Sequence, residues 1–286
     1  MNHQPVVQLF YNPASGSFSP ARMAALAAAF EAEGARVVRS ESVREVPVLD
    51  AGATHVCIAG GDGTVRHVAM MLARAGATLP VAVWPAGTIN LIAREGGPSR
   101  PLARFARDLV QASLPRDHFL VTLDETMFLA CASVGPDSFS VASVSGALKR
   151  RIGRLAYGVA FLGVLWRWPR PALRIDADGR GLACEAVYVA KGRYFAGPWS
   201  FAPAARVSDG LLHVVALRRA RRRDFLVFCL DMLLGRDPGA RANAMALTCR
   251  ALAINCDVPV PVQADGDVVA TCPVRLAVHP APLPFH

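Results

Sequence analysis

The sequence predicts an α/β amino-terminal domain with a parallel sheet, followed by a mainly antiparallel, β-rich carboxyl-terminal domain. Up to Pro115, short apolar runs alternate with segments of helical apolar spacing, which is typical of βαβ units. Beyond it, short apolar runs are separated by turn signals such as Asp178-Gly179 and Asp209-Gly210. We therefore expect two domains, 1–115 and 116–286, and leave open that the carboxyl-terminal tail packs back on the first.

The first domain contains four apolar runs of strand length and two helical segments. The predicted strands are Val6 to Phe10, Ala35 to Val38, Thr54 to Ala59 and Leu79 to Trp84. The predicted helices are Pro20 to Phe30 and Val65 to Ala75. Because ligands bind at the carboxyl ends of parallel strands, the loops after these strands are the expected site of function.

The second domain contains seven apolar runs that predict strands: Leu120 to Leu123, Phe128 to Ala132, Leu173 to Ile175, Ala186 to Ala190, Leu211 to Leu217, Ala251 to Ile254 and Val274 to Val278. Helices are predicted near Arg154 to Trp166 and over Phe225 to Leu234. The apolar run Leu155 to Trp166 is shorter than the about 20 residues that cross a bilayer, so no transmembrane helix is predicted. Its basic flanks fit either a core helix or a lipid contact.

The chain carries 31 Lys and Arg against 22 Asp and Glu, a formal net charge of +9. This excess either favours a polyanionic partner or reflects a basic proteome background. Basic residues are not interleaved with aromatic ones, so no nucleic acid is expected as a partner. Seven cysteines without a C-x-x-C pair predict neither a disulfide framework nor a zinc site, and the amino terminus lacks a signal-peptide pattern. We therefore expect a cytoplasmic protein.

Three loops rich in Gly, Ser, Thr and Asn follow predicted strands. Gly60-Gly61-Asp62-Gly63-Thr64 lies between a strand and a helix, where glycines permit close backbone approach to phosphate oxygens. It is neither a Walker A loop nor a G-x-G-x-x-G motif. Two similar loops, Asn12 to Gly16 and Pro85 to Arg94, follow other strands of the same sheet. Together they favour a nucleotide cleft over three unrelated turns.

Further motifs follow in order along nearly the whole chain: Lys149 to Tyr157, Gly192 to Phe195, Pro203-Ala204, Ser208 to Leu212 and Ala264 to Asp267. With the three loops, they make the sequence similar to the diacylglycerol kinase catalytic-domain family, which includes bacterial soluble lipid kinases and sphingosine kinases, and more distantly to the NAD kinases. The resemblance implies an NAD-kinase-like α/β domain followed by a β-sandwich-like domain. It also implies ATP and Mg²⁺ as cofactors and a lipid alcohol, such as diacylglycerol, as substrate.

The resemblance also assigns roles to individual residues. Asp62 would help to hold the catalytic Mg²⁺, and Asp267 would be the general base, where the family has Glu. Asp209 would bind a structural divalent cation with the carbonyl groups of Arg206 and Leu211, unless it is a bare Asp-Gly turn. The implied nucleotide contacts are Asn12, Ser15, Gly16, Ser42 in preference to Ser40, Gly60, Gly61, Asp62, Gly63, Thr64, Gly87, Thr88 and Asn90.

Besides Asp267, two departures from the family pattern concern the nucleotide loops. Leu91 stands where many diacylglycerol kinases have Asp, and Arg66-His67 replaces the common Asn-Glu. Arg94 matches the family and is expected to support its loop through an internal ion pair. The leading hypothesis is an ATP-dependent lipid kinase. The alternatives are a weak or inactive nucleotide- or lipid-binding member of the family and an NAD kinase.

A basic cluster precedes the predicted helix Phe225 to Leu234; it consists of Arg218, Arg219, Arg221, Arg222 and Arg223. Basic residues beside an apolar helix predict peripheral binding to an anionic membrane surface, with a solvated basic face as the alternative. A homodimer is left open.

Overall fold

The computed structural model describes residues 4–42, 47–97, 100–111, 115–143 and 168–286. The chain divides into two compact units, one of Met1–His118 together with Ala281–His286, the other of Phe119–Pro280. The division lies close to the expected boundary at 115 and 116. The expected helix near Arg154 to Trp166 falls outside the described residues.

The first unit alternates strands and helices. Its strands are β1 (Val6–Tyr11), β2 (Arg36–Glu41), β3 (His55–Gly60), β4 (Val81–Pro85) and β5 (Arg116–His118). Its helices are α1 (Pro20–Ala32), α2 (Asp62–Arg74), α3 (Leu91–Glu95) and α4 (Leu102–Val110). The neighbouring pairs β2–β1, β1–β3 and β3–β4 are parallel, which confirms the predicted α/β class.

The second unit consists mainly of antiparallel strands. They are β6 (Val121–Leu123), β7 (Thr126–Phe128), β8 (Cys131–Val134), β9 (Leu173–Ala177), β10 (Arg180–Cys184), β11 (Ala186–Ala190), β12 (Leu212–Leu217), β13 (Ala244–Cys249), β14 (Ala251–Cys256), β15 (Pro261–Ala264), β16 (Asp267–Thr271) and β17 (Val274–Val278). The described helices are α5 (Pro136–Ser143), α6 (Arg222–Leu233) and a 3-10 turn at Pro238–Ala240. Helix α6 confirms the helix predicted over Phe225 to Leu234.

A final strand, β18 (Leu283–Phe285), returns to the sheet of the first unit. The strand order there is β2-β1-β3-β4-β18-β5. β18 is parallel to β4 and antiparallel to β5, so this tail supplies the link that joins β5 to the sheet.

Helices cover the sheet of the first unit on both faces. On one face, α1 and α4 bury Met23, Leu26, Phe30 and Leu109 in a single cluster with β1 and β3 residues. The buried residues of α1 recur at three- and four-residue intervals, as expected for an amphipathic helix. Helix α2 contacts β3 and buries residues including Val65, Val68 and Leu72.

Two six-stranded sheets form the second unit, in the orders β10-β9-β14-β17-β6-β7 and β13-β12-β11-β8-β15-β16. Buried side chains of both sheets, such as Ile175 and Ile254 from the first and Val189 and Val214 from the second, share one hydrophobic core. In β9, buried and exposed residues alternate strictly, as they do in a strand with one face in the core. This is the β-sandwich-like domain that the sequence predicted.

One predicted strand is divided in the structure. The run Phe128 to Ala132 belongs to β7 and β8, which are separated by Leu129 and Ala130. The amide groups of Leu129 and Ala130 donate to the carboxylate of Asp265 rather than to a neighbouring strand, which explains the interruption.

In the described part of the chain, no helix is both long enough and apolar enough to cross a bilayer.

Candidate active site

The three motif loops lie at the carboxyl ends of β1, β3 and β4, which are adjacent strands. Loop 1 is Asn12–Gly16, loop 2 is Gly60–Thr64 and loop 3 is Pro85–Asn90. Ser17 ties loop 1 to loop 3, because its amide nitrogen and hydroxyl oxygen both donate to the carbonyl oxygen of Ala86, at 3.2 and 2.8 Å. The structure therefore brings together the residues expected to bind a nucleotide.

Asn12 and Thr64 connect loop 1 with loop 2. The Asn12 Nδ2 atom donates to Thr64 Oγ1 over 3.2 Å, while Asn12 Oδ1 accepts from the amide of Ala14 over 2.8 Å. Thr64 is buried at the start of α2. Both side chains thus have a structural role in shaping this edge, in addition to the ligand contacts that the family resemblance implies.

Loops 2 and 3 touch through glycines. A Cβ atom on Gly87 would lie 2.4 Å from the Cα atom of Gly61, and a Cβ atom on Gly60 would lie 2.5 Å from Cβ of Thr64. Real Cβ atoms do not approach other atoms so closely, so only glycine lets the backbones of loops 2 and 3 meet at Gly61 and Gly87, and Gly60 leaves room for the Thr64 side chain within loop 2. The neighbouring Gly16 has room, with Thr88 Oγ1 4.0 Å from its added Cβ atom, and Gly63 lies inside α2.

Asp62 joins the helices that follow loops 2 and 3. Its Oδ1 atom accepts from the amide of Ile92 in α3 over 3.1 Å, and it occupies the first turn of α2, where a carboxylate is favourable. Leu91, which replaces the family's Asp, is buried. Mg²⁺ commonly binds one or two carboxylates together with water and substrate phosphates, so the single carboxylate of Asp62 is compatible with this ion when a nucleotide supplies the phosphates.

Loop 3 is closed by the side chain of Asn90. Its Oδ1 atom accepts from the amide of Gly87 and its Nδ2 atom donates to the carbonyl of Gly87, at 2.8 and 2.9 Å. Arg94 donates through Nε to the carbonyl of Ile89 over 3.2 Å. Among the described residues it forms no ion pair, so Arg94 supports the loop through the main chain rather than through the expected carboxylate.

Ser42 directly follows β2 and differs from Ser40 in its bonding. The Ser40 hydroxyl accepts from Gln8 Nε2 over 2.9 Å. The Ser42 hydroxyl is buried and has no hydrogen-bond partner within the described ranges. A buried unpaired hydroxyl costs about 1–3 kcal/mol, a cost that a bound ligand would remove. Within the described ranges, Ser42 and Ser40 therefore differ in that only the Ser42 hydroxyl is both buried and unpartnered.

In the second unit, Asp265 fixes the hairpin that carries Asp267. The Asp265 carboxylate accepts three amide hydrogen bonds, from Leu129, Ala130 and Cys131, at 2.9, 2.9 and 3.1 Å. Asp265 and Gly266 have φ values of 48° and 86°, as in the two-residue turns that join strands of a tight hairpin. Asp267 begins β16 immediately after this turn and is half-buried.

A buried polar chain supports the same hairpin. The Gln263 side chain accepts from the amide of Gly266 over 3.1 Å and donates to Ser133 Oγ over 3.0 Å, and Ser133 donates to the carboxylate of Asp137. Burial raises the pKa of Asp137 to about 6, although the Ser133 hydroxyl stabilises the charged form. The sequence did not indicate these residues, because Gln263 and Ser133 are 130 positions apart.

The residues expected to bind a structural cation are also brought together, but around a lysine. The Lys191 Nζ atom donates to the carbonyl oxygens of Arg206 and Asp209, at 2.9 and 2.7 Å, and lies 3.3 Å from Asp209 Oδ1. Leu211 joins the cluster through its amide, which donates to Asp209 Oδ1 over 3.4 Å. No pattern in the sequence singled out Lys191.

Comparisons with known proteins agree with this architecture. Residues 6–114 match the family described as diacylglycerol kinase catalytic domain, and residues 130–285 match the YegS C-terminal NAD kinase beta sandwich-like domain. A protein of Pseudomonas aeruginosa named "Probable lipid kinase YegS-like" is 30% identical over 246 residues, which cover 83% of this chain and 78% of that protein. A protein of Mycobacterium tuberculosis named diacylglycerol kinase is 28% identical over 246 residues, covering 81% and 76%.

Solved structures support the fold. A diacylglycerol kinase of Bacillus anthracis aligns with a TM-score of 0.74 at 15% identity, covering 100% of this chain and 97% of that chain. The fold and its motif loops define a two-unit protein that combines a diacylglycerol kinase catalytic-domain match with a YegS-type beta sandwich-like domain. The chain belongs to the YegS-like lipid kinase family.

The contact between loops 2 and 3 gives a first prediction. Gly87→Ala places a methyl group against the Gly61 backbone, so we expect a loss of about 1–3 kcal/mol in the free energy of unfolding. Gly16→Ala serves as the control, since its methyl group has room and its melting temperature should stay at the wild-type value. Equal melting temperatures for the two variants in a thermal scan would contradict the proposed close contact.

Asp137 gives a second prediction. Its folded pKa of about 6 exceeds the ordinary value of 3.8, so the unfolded chain releases this proton at lower pH than the folded chain does. The stability contribution of Asp137 is therefore complete below pH 4 and is lost as pH rises through about 6.

Asp137→Asn should remove this loss while its amide oxygen still accepts from Ser133. The Tm of the variant should gain on the wild type progressively between pH 4 and 7, whereas Asp176→Asn, at an exposed position, should follow the wild-type curve. Parallel curves for Asp137→Asn and the wild type would refute the assignment.

Proposed function

We propose that the protein transfers the γ-phosphoryl group of ATP to the hydroxyl group of a diacylglycerol-like lipid. The observation that carries the proposal is the loop edge of the first unit, where loops 1, 2 and 3 are hydrogen-bonded and packed together. Family membership and the relatives named lipid kinase or diacylglycerol kinase support the same reaction.

In this proposal the first unit holds the nucleotide. Gly60 to Thr64 would bind its phosphates, and the Ser42 hydroxyl would gain the hydrogen-bond partner that it lacks in the described structure. Asp62 would bind Mg²⁺, which neutralises charge on the phosphates when it is present. The Ile92 amide holds the Asp62 carboxylate in place.

Asp267 is the proposed general base. Its carboxylate would accept the proton of the lipid hydroxyl while that oxygen forms a bond to the γ-phosphorus and ADP leaves with the bridging oxygen. The turn fixed by Asp265 determines where β16, and therefore Asp267, begins. The side chain of Asp267 is one methylene shorter than the family's Glu. In a rigid hairpin, the position of the backbone determines where this carboxylate lies, so the shorter side chain can still meet the lipid hydroxyl.

A lipid panel tests the reaction. Purified protein is incubated with labelled ATP, Mg²⁺ and diacylglycerol, monoacylglycerol, a sphingoid base, phosphatidylglycerol or NAD. Asp267→Asn should lower kcat by about 10²–10⁴-fold and leave the ATP-induced rise in Tm unchanged, because the amide cannot accept a proton. Asp267→Glu should remain active.

Asp257→Asn is the matched control, since Asp257 is an exposed carboxylate of the same unit that pairs with Arg174. Wild-type turnover in Asp267→Asn would remove Asp267 from the reaction. Phosphorylation of NAD but of no lipid would overturn the proposed substrate class.

We propose that the protein reaches its lipid through the outer face of α6. Phe225, Phe228 and Met232 bury the inner face of this helix. The outer face carries five large apolar side chains that are 41–55% exposed: Leu226, Val227, Leu230, Leu233 and, at the helix end, Leu234. These positions recur at helical spacing and form one apolar stripe.

Exposed arginines surround the start of this stripe, namely Arg218, Arg219, Arg222 and Arg223. Positive charge at a helix amino terminus opposes the helix dipole, so helix stability does not explain their placement. An anionic bilayer matches both features, since basic residues near its surface contribute about 1 kcal/mol each and the apolar side chains enter the headgroup boundary.

Vesicle sedimentation tests this surface. Leu230→Glu and the pair Arg222→Ala with Arg223→Ala should each weaken binding to phosphatidylglycerol-containing vesicles, and wild-type binding should weaken with salt. Val258→Glu and Arg180→Ala are the controls, because both residues are exposed in the same unit and neither belongs to α6. If Leu230→Glu instead turns a dimer into a monomer without changing vesicle binding, a second copy covers the face and the membrane proposal fails.

A further inference from the structure

Lys191 is the most deeply buried cation in the described part of the chain. Its side chain has 0% exposure and follows β11 directly. Lysine is almost never fully buried unless its charge is paired. Nearby groups must therefore balance the positive charge of the ammonium group. These groups belong to the segment that precedes β12.

The ammonium, which carries three N–H donors, is hydrogen-bonded to oxygen atoms of the segment before β12. They are the carbonyl oxygens of Arg206 and Asp209 and the Oδ1 atom of Asp209. The ring of Phe119 adds a cation–π contact, with its centroid 5.8 Å from Nζ. Carbonyl and carboxylate oxygens are also the ligands that Mg²⁺ and Ca²⁺ prefer.

Both carboxylate oxygens of Asp209 have further partners. Asp209 Oδ2 lies 3.1 Å from Nε2 of His213, while Oδ1 also accepts from the Leu211 amide. A divalent cation bound here would have to share these oxygens with an ammonium group and would be repelled by it. The arrangement does not fit the structural cation that the family resemblance implies.

We infer that the Lys191 ammonium permanently replaces a divalent cation in the Arg206–Leu211 loop, so that this loop is ordered without metal. The choice of lysine supports the inference. The chain has 31 basic residues, of which only Lys149 and Lys191 are lysines. A compact ammonium resembles a metal ion as a point charge, whereas the planar arginine fork does not fit a cage of converging oxygens.

The main chain at Lys191 contacts the segment that is bonded to Asp265. The amides of Lys191 and Gly192 donate to the carbonyl of Ala130, at 2.8 and 2.9 Å, and the amide of Ala130 donates to Asp265. Ala130 therefore links the main chain of Lys191 directly to the carboxylate of Asp265.

Thermal scans without nucleotide test the inference. The wild-type Tm should be the same in EDTA and in millimolar Mg²⁺ or Ca²⁺. Lys191→Ala should lower the Tm in EDTA by on the order of 10 °C, because it leaves the oxygen cage without a cation, and Ca²⁺ or Mg²⁺ should restore much of the loss. Lys191→Arg should be destabilised without rescue, since it retains the charge but not the shape.

Adding Asp209→Asn to Lys191→Ala should abolish the rescue, whereas adding Asp62→Asn should not. Lack of any rescue by divalent cations in Lys191→Ala would show that the oxygen cage does not suit a metal and would overturn the inference. The inference would also be overturned if EDTA lowered the wild-type Tm and Asp209→Asn abolished this effect of EDTA.

If Lys191→Ala does not fold, the wild-type protein still decides. Elemental analysis of protein purified without chelator should find no stoichiometric divalent metal, and reductive methylation of the native protein should leave Lys191 unmodified. One bound divalent ion per chain that Asp209→Asn abolishes would contradict the inference. These measurements do not use turnover, so they remain valid if the proposed kinase activity fails.

Discussion

The carboxylate of Asp265 organises the second unit by accepting three consecutive main-chain amides. These bonds interrupt what would otherwise be one strand, so that β7 and β8 enter different sheets of the sandwich. They also hold the turn between β15 and β16. The first Asp of the Asp-Gly-Asp motif is thus a structural residue, and its burial leaves the third residue of the motif, Asp267, to present a carboxylate at the start of a strand.

The glycines of the first unit show how packing and ligand binding can require the same residue type. Gly-rich loops are commonly interpreted as phosphate cradles. Here Gly61 and Gly87 are also required because their backbones touch. The two requirements are compatible, since an edge whose loops are fixed before ligand arrives loses little conformational entropy on binding.

The sequence predicted the strands that are continuous apolar runs, such as β1 and β3, because complete burial leaves a clear pattern. It did not predict β10, which is mostly exposed, or the three-residue β18, which contains proline. The motif residues of the loops were recognisable locally. Lys191 and Gln263 were not, because their roles depend on partners that are distant in the sequence and meet only in the folded sheets.

The position of β18 has a consequence for the independence of the first unit. A fragment that ends at His118 contains β4 and β5 but lacks the strand that lies between them. Such a fragment would expose an unpaired edge of β4, and edges of this kind recruit strands from other molecules. The boundary visible in the sequence near residue 115 therefore does not mark an autonomous folding unit. The second unit lies in the sequence between β5 and β18, two strands that pair with each other in the sheet of the first unit.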